Sequence, residues 1–461
     1  MQKIFIIIGF IIGSLSNVMA QGSRASQPNI VLILADDLGY ADVGYLGKKP
    51  GISTPNIDLL AKNGMAFTNA YAAAPVCSPT RASLLTGKSP AALKLTCHIP
   101  GMGMQTYLDK FNKGQKLKEA YFVDRLDSQE TTIAQLLQRN GYATGFIGKW
   151  HLAGDGSAQS NDGIINPDLL PDKYGFDSNI GGCAYGQPAS YFSPYKNGTL
   201  PDGPAGEYLT DRLGDEAVRF IVRHKDRPFF LDLSTYTVHT PMQAPEATVA
   251  KYKGNKYYAM IEKLDQAVGK VVGKLKELKL MDDTIIIFYS DNGGLQENPP
   301  LRERKGSLYE GGIRVPLIIS WTNHISAEQI SHEPVTTVDF FPTLLEAAQI
   351  PLPKEGQLEG QSLWPILSGE RTTARQPLYW HFPHHRSGTE LAMAAAIREG
   401  DWKLIKDFES EELYLFNLKE DVGETKNLQA TETNKTKDLL LKLEAWQARV
   451  KAEMPEPNTA N

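Results

Sequence analysis

A cysteine, a proline and an arginine on alternate positions open the stretch Cys77-Ser78-Pro79-Thr80-Arg81-Ala82-Ser83-Leu84-Leu85-Thr86-Gly87. Ser78 suits a helix N-cap, Pro79 the first turn and Gly87 the stop, so the spacing predicts a short helix with Cys77 just before it. Free backbone N–H groups and the helix dipole favour negative charge there, on a thiolate or on a bound oxyanion. Arg81, one turn on, adds a fixed cation. Two apolar runs end in carboxylates: Ile30 to Ala35 leads into Asp36-Asp37, and Thr284 to Ser290 leads into Asp291-Asn292-Gly293-Gly294. Three carboxylates and an amide oxygen form an all-oxygen set that suits a hard cation, calcium or magnesium, and not zinc. The glycines after Asn292 are expected to let the backbone turn sharply. Gly148-Lys149-Trp150-His151 follows the strand-like run Ala143 to Ile147, and His239 lies just past the run Phe229 to Leu233. Lys305 stands upstream of Tyr309-Glu310-Gly311-Gly312. Lysines, an arginine and a metal together suit a weakly basic anionic ester, whose transition state needs donors on several sides.

The eleven residues from Cys77 to Gly87, with Cys-x-Pro-x-Arg and the closing Thr-Gly, resemble the signature of the type I, formylglycine-dependent sulfatases of the alkaline phosphatase superfamily. The companion strings resemble that family's motifs in order and spacing over roughly residues 28 to 420, and the chain is similar to its exported bacterial glycan sulfatases. The resemblance implies that Cys77 is oxidised by a maturase to formylglycine, whose gem-diol attacks sulfur. It implies one calcium per chain, with magnesium as the second candidate, held by Asp36, Asp37, Asp291, Asn292 and modified Cys77. It also implies that Lys149, His239 and Lys305 hold the sulfate, that Arg81 and Lys149 lower the nucleophile's pKa, that His239 protonates the leaving oxygen, and that His151 takes the proton that expels sulfate. The implied substrate is a sulfated carbohydrate, with galactose or N-acetylgalactosamine 4-sulfate units as candidates. Those relatives often carry Asp-Trp where Cys97-His98 stands here, so the sugar is left open.

Recognition beyond sulfate falls to loops, and the candidate residues are His98 in Lys94 to Met104, the stretch Gly181 to Ser193, and His384, His385 and Arg386. Two other readings remain: a phosphate or phosphonate ester hydrolase of the same superfamily, which would need a second metal, and a non-catalytic glycan-binding relative.

The elements that must position these groups follow from the apolar runs. Ile30–Ala35, Phe229–Leu233, Thr284–Tyr289 and Leu317–Ser320 read as buried parallel strands. Helix-period stretches lie between them at Ile133–Asn140, Leu209–Val222 and Tyr257–Leu278. The alternation predicts an α/β fold: a large doubly wound, mixed or mostly parallel sheet between helices, over residues 27–370. From 371 to 461 short segments predict a smaller antiparallel sheet closed by a helix over Thr436–Val450, with a boundary near 365–376 and a frayed tail over 451–461. Residues 1–20 read as a signal peptide, with Lys3, an apolar core Ile4–Ile12 and cleavage near Ala20, which predicts a periplasmic or extracellular protein. A net charge of −5 argues against nucleic acid as a partner, and the sequence offers no stable membrane partner and leaves the oligomeric state open. Three cysteines make no disulfide framework, and Cys97 and Cys183 are expected free and buried.

Overall fold

The computed structural model describes residues 27–47, 49–154, 161–353, 358–370, 375–391 and 393–459. The expected signal peptide lies outside them. An eight-stranded mixed sheet forms the centre, in the order 329–331, 65–67, 317–320, 284–290, 29–35, 229–234, 143–148, 178–180. The strand Asn29–Ala35 sits between Phe229–Ser234 and Thr284–Ser290 and runs parallel to both, and Ala143–Gly148 runs parallel to Phe229–Ser234. Their registers pair Ala35 with Ser290, Leu34 with Ser234, and Gly148 with Ser234. The residues that follow, Asp36, Asp291, Thr235 and Lys149, therefore emerge side by side at one edge, where open α/β sheets bind ligands.

These strands are buried on both faces, and alternation sorts their side chains into two cores. Ile30, Leu32, Leu34, Ile285, Ile287 and Tyr289 pack with Leu84, Leu85, Ile133 and Leu137. Val31, Ile33, Leu231, Leu233, Ile286 and Phe288 pack on the other side with Leu213, Ala217, Leu264 and Val268. The latter belong to the helices Leu209–His224 and Lys256–Glu277. Leu317–Ser320, read as parallel, runs antiparallel to both its neighbours. A short buried apolar run carries no direction, so the sequence could not supply it.

The second sheet is a four-stranded antiparallel meander, Leu378–Phe382, Ala394–Glu399, Trp402–Asp407 and Leu413–Asn417, with the helix Thr433–Val450. One face, with Trp380, Ala394, Ala396 and Ile405, covers Tyr71, Val76 and Leu308 of the larger unit. The other, with Ala395, Ile397 and Leu404, receives Leu439, Leu443 and Trp446 of the helix. The tail is not frayed: Glu456–Pro457 pairs with Leu117–Lys118, and Asn458 N donates to Lys116 O at 2.8 Å. No helix among the described residues is long and apolar enough to cross a membrane.

A buried charge cluster joins the two sheets. Lys403 Nζ lies 2.9 Å from Glu310 Oε1 and 2.8 Å from Glu424 Oε1, with all three side chains fully buried. Tyr71 donates to Glu310 Oε2 at 2.6 Å, and Glu310 N donates to Glu424 Oε2 at 2.6 Å. Burial alone would raise the Glu310 carboxyl, but Lys403 and Arg314 outweigh it and hold it at about 2. Removing one partner of such a set strands the rest, so Lys403→Met should cost about 3–5 kcal/mol of stability. Chemical denaturation checks this by a fall in midpoint at unchanged slope. Adding Glu424→Gln, which removes one stranded charge, should recover part of the loss.

Candidate active site

The helix Cys77–Thr86 begins at Cys77 itself, with Val76 at the N-cap position, and stops at Gly87, whose φ is 69°. Ser78 is thus not the cap. Its hydroxyl instead accepts from Ile99 N at 3.1 Å, which ties the nucleophile helix to the loop carrying His98. Cys77 is 2 % exposed. Burial pushes its thiol above the usual range, although Lys149 and Lys305 pull the other way. The helix N-terminus therefore does not lower this thiol, on which two lysines act in one sense and burial, Asp36 and Asp291 in the other.

The carboxylates sit around it, each facing a cation. Lys149 Nζ lies 2.9 and 2.7 Å from the two oxygens of Asp36. Arg81 Nε donates to Asp291 Oδ2 at 2.9 Å, Arg81 Nη1 donates to Lys149 O at 2.7 Å, and Arg81 Nη2 is 3.7 Å from Asp36 Oδ1. Lys305 Nζ donates to Asp37 Oδ1 at 2.5 Å and lies 3.5 Å from Cys77 Sγ. Burial disfavours the Lys305 ammonium, but Asp37 outweighs it and holds the group protonated. Burial would also raise Asp37, but Lys305, His239 and Lys149 hold its carboxyl well below the ordinary range. Burial and the adjacent Asp36 push Asp291 up to about 6, against Arg81.

Two buried oxygens in this set, Asp37 Oδ2 and Asn292 Oδ1, have no hydrogen-bond donor. Asn292 turns its Nδ2 onto Asp37 Oδ1 at 2.8 Å. Two groups close enough to hold a cation, Asp36–Cys77–Asp291 and Asp37–Cys77–His239, share Cys77 and so describe one centre. Unpaired carboxylate and amide oxygens beside Cys77 fit a hard divalent cation. The chain bends at Asp291 and Asn292, but neither Gly293 nor Gly294 takes a positive φ to do it. Gly293 is needed for close approach: a Cβ there would come within 2.0 Å of Gly311 O. This contact binds Asn292 to the Tyr309-Glu310-Gly311-Gly312 string.

The two histidines differ. His239 is reached from Asp36 through the backbone, since Asp36 N donates to Thr237 O at 2.9 Å. Its Nδ1 faces Thr240 O at 3.0 Å and its Nε2 faces Asp37 Oδ2 at 3.6 Å. Burial pushes it down to about 3, with Asp37 opposing. His151 has Nε2 at 2.9 Å from Ile99 O, and its buried Nδ1 has no partner. The carbonyl requires the proton on Nε2, leaving Nδ1 as a bare lone pair. Burial and then Lys149 hold this imidazole well below its usual value. Gly186, in the Gly181 to Ser193 stretch, packs on the ring: a Cβ there would lie 2.5 Å from His151 Nε2.

Of the residues expected to bind sugar, the structure brings only some near the site. His98 feels Arg386, Lys305 and Lys149, after burial, and is held well below its ordinary value, while Arg386 packs on Gly306 beside Lys305. His384 and His385 are corrected to structural residues. His384 is fully buried with Nδ1 2.5 Å from Glu119 Oε2 and Nε2 2.7 Å from Thr96 Oγ1, so both ring nitrogens are spent. His385 Nε2 is 2.9 Å from Leu117 O, and its N–H donates to Glu119 Oε1 at 2.8 Å. The sequence reading missed Glu119, Thr96 and the Ile99 carbonyl. Glu119 and Thr96 hold His384, and Ile99 sets the His151 tautomer; no local spacing marks any of them. Cys97 and Cys183 are free and buried, as expected.

Comparison with known proteins decides the family. The sulfatase profile matches residues 28–350, and the profile for the N-sulphoglucosamine sulphohydrolase C-terminal region matches 304–451. This chain belongs to the sulfatase family. It is a sulfuric ester hydrolase of the formylglycine-dependent group within the alkaline phosphatase superfamily. It is 33 % identical to a sulfatase of Formosa agariphila over 96 % of this chain and 92 % of the relative. It is 32 % identical to the N-acetylgalactosamine-6-sulfatase of Sus scrofa, over 77 % of this chain and 68 % of that one. The solved structure of Ps i-CgsB in complex with k-i-k-neocarrahexaose superposes with a TM-score of 0.77 at 33 % identity, covering 91 % of this chain and 93 % of that one.

Proposed function

We propose that this sulfatase hydrolyses sulfate esters of a sulfated carbohydrate, with Cys77 converted to formylglycine and one calcium ion at Asp36, Asp37, Asp291 and Asn292. The observation that carries the reading is the convergence on Cys77 of Lys305, at 3.5 Å from Sγ, with three carboxylates, Asp36, Asp37 and Asp291, in two clusters able to hold a cation. The relative that holds k-i-k-neocarrahexaose supports an oligosaccharide as the substrate class. Galactose or N-acetylgalactosamine 4-sulfate units stay the first candidates, and the 6-sulfatase relative names the competing position. Hydrated formylglycine supplies an oxygen nucleophile, and a bound divalent cation supplies positive charge that lowers its pKa.

The chain's own residues do the rest. Lys149 and Lys305 are ammonium groups near Cys77, and with His239 they bind the sulfate oxygens and stabilise the charge that gathers there. Arg81 neutralises Asp291 and holds the Lys149 carbonyl, which keeps both groups in place. His239 presents Nε2 to the site; the free imidazole holds its proton on Nδ1 against Thr240 O, so it acts as the imidazolium, a form the bound anionic sulfate ester favours, and gives the Nε2 proton to the departing sugar oxygen. His151, with its lone pair on Nδ1, takes a proton in the step that releases sulfate. The protein requires a formylglycine-generating maturase during synthesis. It works in the periplasm or outside the cell, after cleavage near Ala20.

Asp291→Ala tests the metal half of the reading. It removes a carboxylate from the centre and strands Arg81, so bound calcium, measured by elemental analysis of the purified protein, should fall well below one ion per chain, and turnover should fall with it. Full calcium occupancy in that variant would overturn the ligand set. Two tightly bound zinc ions per wild-type chain would support a phosphate or phosphonate ester hydrolase instead.

A further inference from the structure

Next to the segment that carries Lys305, a cavity of about 390 Å³ is lined by Glu297, Pro299, Pro300, Glu303, Arg304 and Gly388. Its position follows from the chain. Arg304 immediately precedes Lys305, whose Nζ lies 3.5 Å from Cys77 Sγ. Lys305 N donates to Gly294 O at 3.1 Å and Gly306 N to Pro75 O at 2.9 Å, so this segment is bolted to the metal-site and nucleophile loops. On the other wall, Arg386 packs on Gly306, where a Cβ would meet its Cγ at 2.7 Å, and Gly388 belongs to the same turn. The walls of the cavity are therefore the two segments that also carry Lys305 and Arg386.

Its chemistry is that of a sugar site and not of an anion site. The volume lies within the range of small-ligand pockets. Pro299 and Pro300, both exposed, offer apolar C–H surface to the face of a ring. The charged groups of Glu297, Glu303 and Arg304 have no hydrogen bond or ion pair among the described residues, so they are available to hydroxyl groups. Two carboxylates against one guanidinium repel a second sulfate or a uronate, whereas carboxylates accept well from neutral hydroxyls. We infer that this cavity is the subsite for the sugar unit next to the sulfated one, and that it takes an uncharged, hydroxyl-bearing pyranose. The inference rests on the carbohydrate reading above and extends it: the enzyme recognises a chain, not an isolated sulfated monosaccharide.

The test compares wild-type enzyme with Glu297→Ala/Glu303→Ala on three probes: k-i-k-neocarrahexaose, galactose 4-sulfate and 4-nitrophenyl sulfate. Wild-type kcat/KM should be higher on the hexaose than on the monosaccharide. The double variant should lose about ten-fold more kcat/KM on the hexaose than on the monosaccharide, mostly through KM, the size expected for one charge-assisted hydrogen bond. Both substituted side chains lack partners in the fold, and turnover of 4-nitrophenyl sulfate reports that the variant is folded. Equal loss on both sugars, or no wild-type preference for the hexaose, would overturn the subsite while leaving the carbohydrate reading intact. Wild-type turnover of 4-nitrophenyl sulfate with neither sugar cleaved would overturn the galactose 4-sulfate candidate and the subsite with it.

Discussion

Cys77→Ala should remove sulfatase turnover almost completely, with kcat/KM falling by about four orders of magnitude or more, as expected when a nucleophile is deleted. The substitution is small and, among the described residues, the thiol's hydrogen-bond partner is Lys305 at a long 3.5 Å, so the fold should survive. The same position gives the sharper measurement. Burial raises the Cys77 thiol, so an unmodified side chain is a poor nucleophile at neutral pH. Peptide mass spectrometry of enzyme made with a maturase should find the residue as an aldehyde, with its sulfur lost. Enzyme made without a maturase should carry the intact thiol and be as inactive as Cys77→Ala. If fully active protein carries only unmodified cysteine, the formylglycine reading is wrong.

His239→Ala should separate substrates by their leaving group. A sugar alcohol leaves poorly without a proton, whereas nitrophenolate does not need one, so the loss should be about 10²–10⁴-fold on a sugar sulfate and far smaller on 4-nitrophenyl sulfate. His239 turns Nε2 toward the site, 3.6 Å from Asp37 Oδ2, with Nδ1–H held by Thr240 O, so the acid is the imidazolium, formed when the anionic sulfate ester is bound. His151→Ala should behave differently. Its lone pair on Nδ1 serves the release of sulfate, so both substrates should slow, and the sulfated enzyme should accumulate in intact-mass measurements after mixing. Equal loss on both substrates for His239→Ala would reduce that residue to sulfate binding. A leaving-group effect in His151→Ala, with no adduct, would exchange the two roles.

Much of this centre was readable as strings of residues. The two carboxylate pairs stand at the ends of apolar runs, and a buried run long enough for a strand can only end at the sheet's rim, so Asp36-Asp37 and Asp291-Asn292 had to lie near an edge. Cys77 to Gly87 carried its own helix signals, and the helix formed there, although its cap moved from Ser78 to Val76. Loop histidines were the weak point. His384-His385-Arg386 reads as one polar loop, yet only Arg386 reaches the site, because Glu119 and Thr96 hold His384 from segments far along the chain.

The legible part is therefore local: which side chains carry charge or a nucleophile, and which apolar run each one follows. Their pairing came from the folded arrangement, in which Lys149 faces Asp36, Arg81 faces Asp291 and Lys305 faces Asp37. It also decided that Leu317–Ser320 runs antiparallel, that the tail pairs with Leu117–Lys118, and that Ile99 O sets the tautomer of His151. The reason is physical. Strand ends and helix caps depend on neighbours within a few residues, whereas burial, which sets the protonation of Cys77, His151 and His239, depends on segments that meet only when the sheet closes.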